Sequence, residues 1–150
     1  MTVADLNLLF GQTPNVSSTY TRFSLVASKI TDGIKGRNGD RRNYWHSASV
    51  GNDEWAEVPL AHTAVIRTVT LWNRPSDDDF HERIDGAVIF GRDSNGSLHS
   101  CGEPLFTTGW GESITRFCSS TIAFESIRVE LNEGVPLQIG ELEAYDFGTL

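Results

Sequence analysis

The chain has 150 residues, a length expected to fold as one domain and to bury a core without metal or disulfide support. Its 39% hydrophobic and 10% aromatic content excludes a disordered chain, and no apolar run approaches the roughly 20 residues needed to cross a bilayer. The formal charge of −8 argues against nucleic acid or an anionic membrane as the main partner and, on the plainest view, simply keeps the protein soluble.

The first five residues, Met1 to Asp5, lack a basic segment followed by an apolar one, so no signal peptide is visible. A cytosolic location, export by another route and expression without a leader all stay open on that basis. The stretch from Thr31 to Asn52 carries Gly33, Gly36, Gly39 and Gly51 among Arg37, Arg41, Arg42 and His46, and reads as a long irregular loop. Loops of this length in a compact domain usually serve function or motion.

From Ala64 onward the pattern is that of short strands. Ala64 to Trp72 is β-prone: Val65, Arg67, Val69 and Leu71 alternate with Ile66, Thr68, Thr70 and Trp72. Similar runs are Gly86 to Gly91, Ser113 to Cys118, Ser126 to Leu131 and Leu137 to Tyr145, separated by turn chemistry such as Asp93-Ser94-Asn95-Gly96 and Asn132-Glu133-Gly134. No segment sustains a helical period. An all-β sandwich or jelly roll is expected.

Between the first two of these runs lies the segment richest in chemistry. Arg74 and Arg83 flank Asp77, Asp78, Asp79 and Glu82, with Phe80 among them. Guanidinium groups present rigid forks of donors that cannot lose their charge, and carboxylates accept; beside an aromatic ring they suit a small polyhydroxylated ligand. The plainer alternative is a set of ordinary surface ion pairs, which are common and contribute little. A glycosidase acid pair is disfavoured, because neighbouring arginines depress carboxylate pKa values and leave no proton donor. No G-x-S-x-G, P-loop or H-E-x-x-H motif occurs, so no enzyme activity is expected. The only cysteines, Cys101 and Cys118, are either two reduced thiols or a pair; paired, they close a loop of about 17 residues worth roughly 3 kcal/mol in the chain-entropy model.

Several ordered landmarks resemble one family. Asn7-Leu8, Val16-Ser17-Ser18 and Ala27…Ile30-Thr31-Asp32-Gly33 are similar to the opening of discoidin-like, galactose-binding jelly rolls. Tyr44-Trp45-His46-Ser47, Asp53 to Val58, Val69 to Arg74 and Leu137 to Tyr145 follow in the same order, so the resemblance spans about Asn7 to Tyr145. Within that superfamily the basic residues look like those of the F-type lectins, or fucolectins: a His, then R-x-D, then a second basic residue, with Glu82 to Gly86 similar to the family's "E-R-L-x-G". Two departures stand out. The interval from His46 to Arg74 is one residue longer than the family's, and the interval from Arg74 to Arg83 is two longer. The adjacent cysteines that many fucolectins carry in this loop are replaced here by Asp78-Asp79-Phe80.

The resemblance implies a lectin that binds terminal L-fucose through His46, Arg74 and Arg83. Asp77 is expected to hold the arginine rotamers, with Asp79 a less direct match, and Phe80 to offer its ring to the sugar. Trp45 is an alternative platform, though more often a core residue in this superfamily. The resemblance also implies a structural calcium with carboxylates from Asp32 and Glu141, backbone carbonyls from Lys29, Ile34 and Gly140, and an oxygen from Asn43. It implies a disulfide between Cys101 and Cys118. Expected partners are fucosylated glycans or glycoproteins, met outside the cell or at its surface. No nucleic-acid partner and no membrane insertion are expected. Self-association is expected because single sugar sites are weak. The alternatives are a galactose-type carbohydrate-binding module and a non-sugar adhesion module of the same fold, in which the arginines pair with a protein partner's carboxylates.

Overall fold

In the computed structural model, which describes residues 6–36, 40–48, 53–106, 108–118 and 121–148, nearly all regular structure is antiparallel β. The organising element is β3, Glu54–Trp72, a strand of 19 residues. Its first half pairs with β7 (Ala123–Leu131), and β7 pairs in turn with β4 (Val88–Arg92), which carries β5 (Leu98–Ser100). The short β1 (Asn15–Val16) also pairs with this first half of β3. The second half of β3 lies between β6 (Ser113–Phe117) and β9 (Glu141–Asp146). One strand thus serves both layers of a jelly roll. A separate pair joins β2 (Trp45–His46) to β8 (Gln138–Ile139).

The two strand-like segments of the sequence, Asp53 to Val58 and Ala64 to Trp72, are therefore one strand. Pro59 and the polar run behind it resemble a break, and the pairing register does shift between Pro59 and Ala64. A second shift falls between Ile66 and Thr68. It explains why Ile66, Val69 and Leu71 are buried although strict alternation puts Ile66 and Val69 on opposite faces: a bulge inserts one residue and turns the strand over.

The core forms between the layers. Ala56 and Val58 oppose Val129 and Ile127 in one layer, and Val69 and Leu71 oppose Ala144 and Leu142 in the other; all are essentially buried. Each of the Val, Leu and Ile side chains among them contributes about 1.5–3 kcal/mol by leaving water. Trp45, from β2, is also fully buried, so it belongs to the core and not to a sugar platform. Cys101 and Cys118 are joined by a disulfide that ties the segment after β5 to the end of β6.

The run Leu137 to Tyr145 is split at Gly140 into β8 and β9. A side chain at Gly140 would come within 2.7 Å of the Asn73 carbonyl oxygen, and the Gly140 amide donates to the Trp72 carbonyl at 2.8 Å. This close approach locks the end of β3, and the loop it feeds, against the start of β9. Of the irregular Thr31–Asn52 stretch, residues 37–39 and 49–52 lie outside the described residues, Arg37, Gly39, Gly51 and Asn52 among them. The remainder contains β2.

Candidate functional site: a basic and aromatic cavity at the loop rim

Where β3 ends, Asn73 fixes the rim. It is buried, its side-chain oxygen accepts from the Arg74 amide at 2.9 Å, and its Nδ2 donates to the His81 carbonyl at 2.9 Å. Pro75 then prevents the strand from continuing. The carboxylate-rich segment is not a plain loop: Asp79–Ile84 forms a 3₁₀ helix capped by Asp78, whose Oδ1 accepts from the Phe80 amide at 3.1 Å. Gly86, at φ +90°, turns the chain toward β4.

These constraints gather the basic residues. Arg74 is 5% exposed, and its guanidinium lies 4.6 Å from the Tyr44 ring centroid and 5.5 Å from that of Phe80. The Arg83 guanidinium sits 4.1 Å from the Phe80 ring centroid and has no hydrogen-bond or ion-pair partner among the described residues. The half-exposed Phe80 ring thus receives both arginines. Arg74 Nη2 donates to Asp78 Oδ2 at 2.8 Å. The rotamer-holding contact expected of Asp77 is therefore made by Asp78. Its cap position aims one carboxylate oxygen at the helix amide and leaves the other for Arg74, while Asp77 is exposed. Asp79 is exposed as well and, among the described residues, makes no hydrogen bond or ion pair with either arginine.

His46 reaches the same space from β2. Opposite Gln138, it points away from the core that Trp45 enters. Its Nδ1 lies 2.6 Å from the Ser47 carbonyl oxygen, which can only accept, so Nδ1 carries the proton and Nε2 of the neutral ring is an acceptor. Burial, and more weakly the charges of Arg83 and Arg74, hold the imidazole pKa below its ordinary value, against the hydrogen bond to Ser47. The Tyr20 ring packs against it, tilted by 37°, at 4.9 Å between centroids. Together His46, Arg74, Arg83, Phe80, Tyr20 and Tyr44 line a cavity of about 380 Å³.

Tyr20, Tyr44 and Asp78 were not singled out from the sequence. The spacing of Asp78 four residues after Arg74 was an available signal. Tyr44, one residue before the core Trp45, was another, because a strand alternates faces. Burial raises the Tyr44 pKa more than Arg74 lowers it, so its phenol stays neutral.

A second cluster lies under the rim. Gly33 donates its amide to Glu141 Oε2 at 2.9 Å, and Ile34 its amide to Asp32 Oδ1 at 3.0 Å. Asn43 Nδ2 lies 3.2 Å from Asp32 Oδ2 and 3.3 Å from the Ile34 carbonyl oxygen. Glu141 is fully buried, and its Oε1 has no hydrogen-bond donor among the described residues. Burial first, and the facing Asp32 carboxylate next, push its pKa up to about 9. Gly140 adjoins it, and Lys29 lies in the 3₁₀ turn Ala27–Ile30, which packs near β9. Among the described residues no three His, Cys, Asp or Glu side chains form a metal cluster, so an ion here would rest on two carboxylates plus amide and carbonyl oxygens. Two facing carboxylates, one with an orphaned buried oxygen, fit a hard cation better than they fit each other.

The chain belongs to the NedA-like, galactose-binding domain family of F5/F8 type C modules, whose model matches residues 29–129. The lectin domain of lectinolysin, complexed with Lewis B antigen, is 20% identical and superposes with a TM-score of 0.78 over 97% of this chain and 100% of that one. A fucolectin from striped bass (Morone saxatilis) serum is 24% identical with a TM-score of 0.79, over 94% of this chain and 47% of that one. The family 32 carbohydrate-binding module of NanJ from C. perfringens, in complex with galactose, is 17% identical with a TM-score of 0.72, over 95% of this chain and all of that one. No curated protein sequence gives a significant match. The expected resemblance to galactose-binding jelly rolls is borne out, and so is the all-β fold.

Proposed function

We propose that the protein is a non-catalytic lectin module that binds terminal L-fucose in the cavity between His46, Arg74 and Arg83. The observation that carries this reading is convergence. His46, a neutral acceptor, lines one cavity with Arg74 and Arg83, two donors whose guanidiniums both pack on the exposed Phe80 ring. Nε2 of His46 accepts from a sugar hydroxyl, the guanidiniums donate to neighbouring oxygens, and Phe80 covers an apolar face of the ring. Asp78 neutralises one of two like charges that otherwise repel. The segment between the arginines holds the 3₁₀ helix Asp79–Ile84, and in this reading Phe80 serves as platform where many fucolectins carry adjacent cysteines. Similar folds solved with Lewis B antigen, or described as a fucolectin, support the choice of sugar.

Calcium belongs to the same proposal. Asp32 and Glu141 would hold it through carboxylate oxygens, with Ile34, Lys29 and Gly140 giving carbonyls and Asn43 its side-chain oxygen after an amide flip. The ion ties the rim to the terminal strand and takes no part in sugar chemistry. Display of several sites by self-association raises avidity on fucosylated glycoproteins.

A galactose-selective module is the second reading, favoured by the family description and by the galactose-bound module of the same fold. Isothermal titration with L-fucose and methyl galactoside, repeated with R83A and with chelator, tests both. Heat from L-fucose that R83A abolishes supports the proposal. Heat from the galactoside alone supports the second reading, and heat from neither sugar rejects both.

A further inference from the structure

The cavity around His46 does not end at Arg74. Beyond Arg74, Tyr44 and Asp78 it continues into a second space of about 310 Å³, bounded by Phe23, Arg41, Arg42, Ser76 and Asp77. The two spaces share Phe23, Leu25, Tyr44, Arg74 and Asp78 as a common wall.

The second space is basic in a chain that is otherwise strongly acidic. Arg74 is already paired with Asp78, which leaves Arg41 and Arg42 against Asp77. Neither of these two guanidiniums has a hydrogen-bond or ion-pair partner among the described residues. The Arg42 side chain and the Arg41 backbone are nonetheless held in place. The Arg42 guanidinium lies 4.3 Å from the Phe23 ring centroid, and its backbone carbonyl is fixed by Lys29 Nζ at 3.1 Å. Arg22 approaches the same ring at 5.6 Å, bringing a further cation to this rim. Ser76 Oγ donates to the Arg41 carbonyl at 2.6 Å and so binds the arginine segment to the Arg74 loop. Phe23 and Ser24 have φ values of +62° and +55°, a region non-glycine residues rarely adopt, and the Phe23 ring meets Arg22 and Arg42.

We propose that this second space is a subsite for an acidic substituent, a sulfate ester or a carboxylate, on the sugar next to the terminal one. The proposal rests on the reading of the first cavity as a monosaccharide site. Two forked, uncommitted guanidiniums match a planar carboxylate or a sulfate, and Phe23 backs the one that would otherwise swing freely. Asp77 repels the anion from its own side and accepts from sugar hydroxyls, which turns the acidic group toward Arg41 and Arg42.

The test uses four probes on the full chain by titration calorimetry: L-fucose, a neutral fucosylated trisaccharide, and its sulfated and carboxylated counterparts. The native protein is expected to bind at least one acidic trisaccharide about tenfold tighter than the neutral one at low salt, with the advantage shrinking as salt rises. The double variant R41A/R42A is expected to lose that advantage while its affinity for L-fucose is unchanged. Both side chains are exposed, and a thermal melt matching the native protein confirms that the variant is folded. Which acidic probe wins tells sulfate from carboxylate. Equal binding of neutral and acidic trisaccharides, or an acidic preference that survives in R41A/R42A, overturns the subsite. If L-fucose gives no heat but an acidic trisaccharide binds through Arg41 and Arg42, the subsite stands and the monosaccharide reading falls.

Discussion

Asp78 caps the 3₁₀ helix with one carboxylate oxygen and accepts from Arg74 with the other, at 2.8 Å. A single side chain therefore sets both the backbone that carries Phe80 and Arg83 and the rotamer of Arg74. D78N is expected to weaken sugar binding about tenfold, or about 1.4 kcal/mol, because a buried guanidinium loses its counter-charge. D77N is expected to change L-fucose affinity less than about twofold. Calorimetry on the two variants separates them; equal losses would mean that the contact is not what positions Arg74.

Sugar binding is expected to depend on pH through His46. Its pKa lies below the ordinary imidazole value, so the ring is neutral at pH 7 and Nε2 accepts. Affinity should stay level from neutral to mildly alkaline pH. It should fall in acid, with its midpoint under the ordinary imidazole value of about 6.5, as protonation removes the acceptor and sets a third positive charge beside Arg74 and Arg83. Affinity measured across that range, with H46Q as the non-titrating control, checks this: the acid fall should disappear in the variant.

Glu57 offers a stability prediction away from the site. Its carboxylate accepts from Arg92 at 2.7 and 2.8 Å, from Arg128 at 3.0 Å and from Ser126 at 2.6 Å, and Arg92 above all pulls its pKa down to about 2. A carboxylate depressed on folding stabilises fully above its unfolded pKa and stops doing so as pH falls through its folded one. The contribution, on the order of 2 kcal/mol, should be present above pH of about 4.5 and fade toward pH 2. Thermal melts of native protein and E57Q should lie furthest apart at neutral pH and converge in acid.

Calcium is expected to raise the melting temperature. At a hundredfold excess over its dissociation constant a ligand adds about 2.7 kcal/mol, on the order of 9 °C for a chain of this size. Chelator should remove the increment, and E141Q and D32N should be insensitive to both additions. A native melt unmoved by calcium would remove the ion from the proposal.

Much of the fold was legible because β-branched alternation and turn residues are local signals. The strands at 88–92, 113–117 and 123–131 fall close to the sequence runs that announce them. The merger into β3 was not legible, since Pro59 and Ala61-His62-Thr63 read as a break, and only the neighbouring strand β7 carries the pairing across it. Arg74, Arg83, Phe80 and His46 were readable as residue types in an order, and they do share a cavity. Which of three consecutive aspartates meets Arg74 was not, because that choice is made by the φ and ψ of the cap, not by composition. Arg41 and Arg42 were seen only as part of an irregular stretch; what they face depends on the wall supplied by Phe23 and Ser76.

The span of β3 across both layers means that neither layer has a boundary of its own along which it could peel away. Amide protons from Glu54 to Trp72 on the paired edges should exchange with deuterium only when the whole module opens. Arg74, two residues past the end of that strand, is then moored to the slowest-opening part of the molecule, while the exposed Arg41 and Arg42 lie outside it.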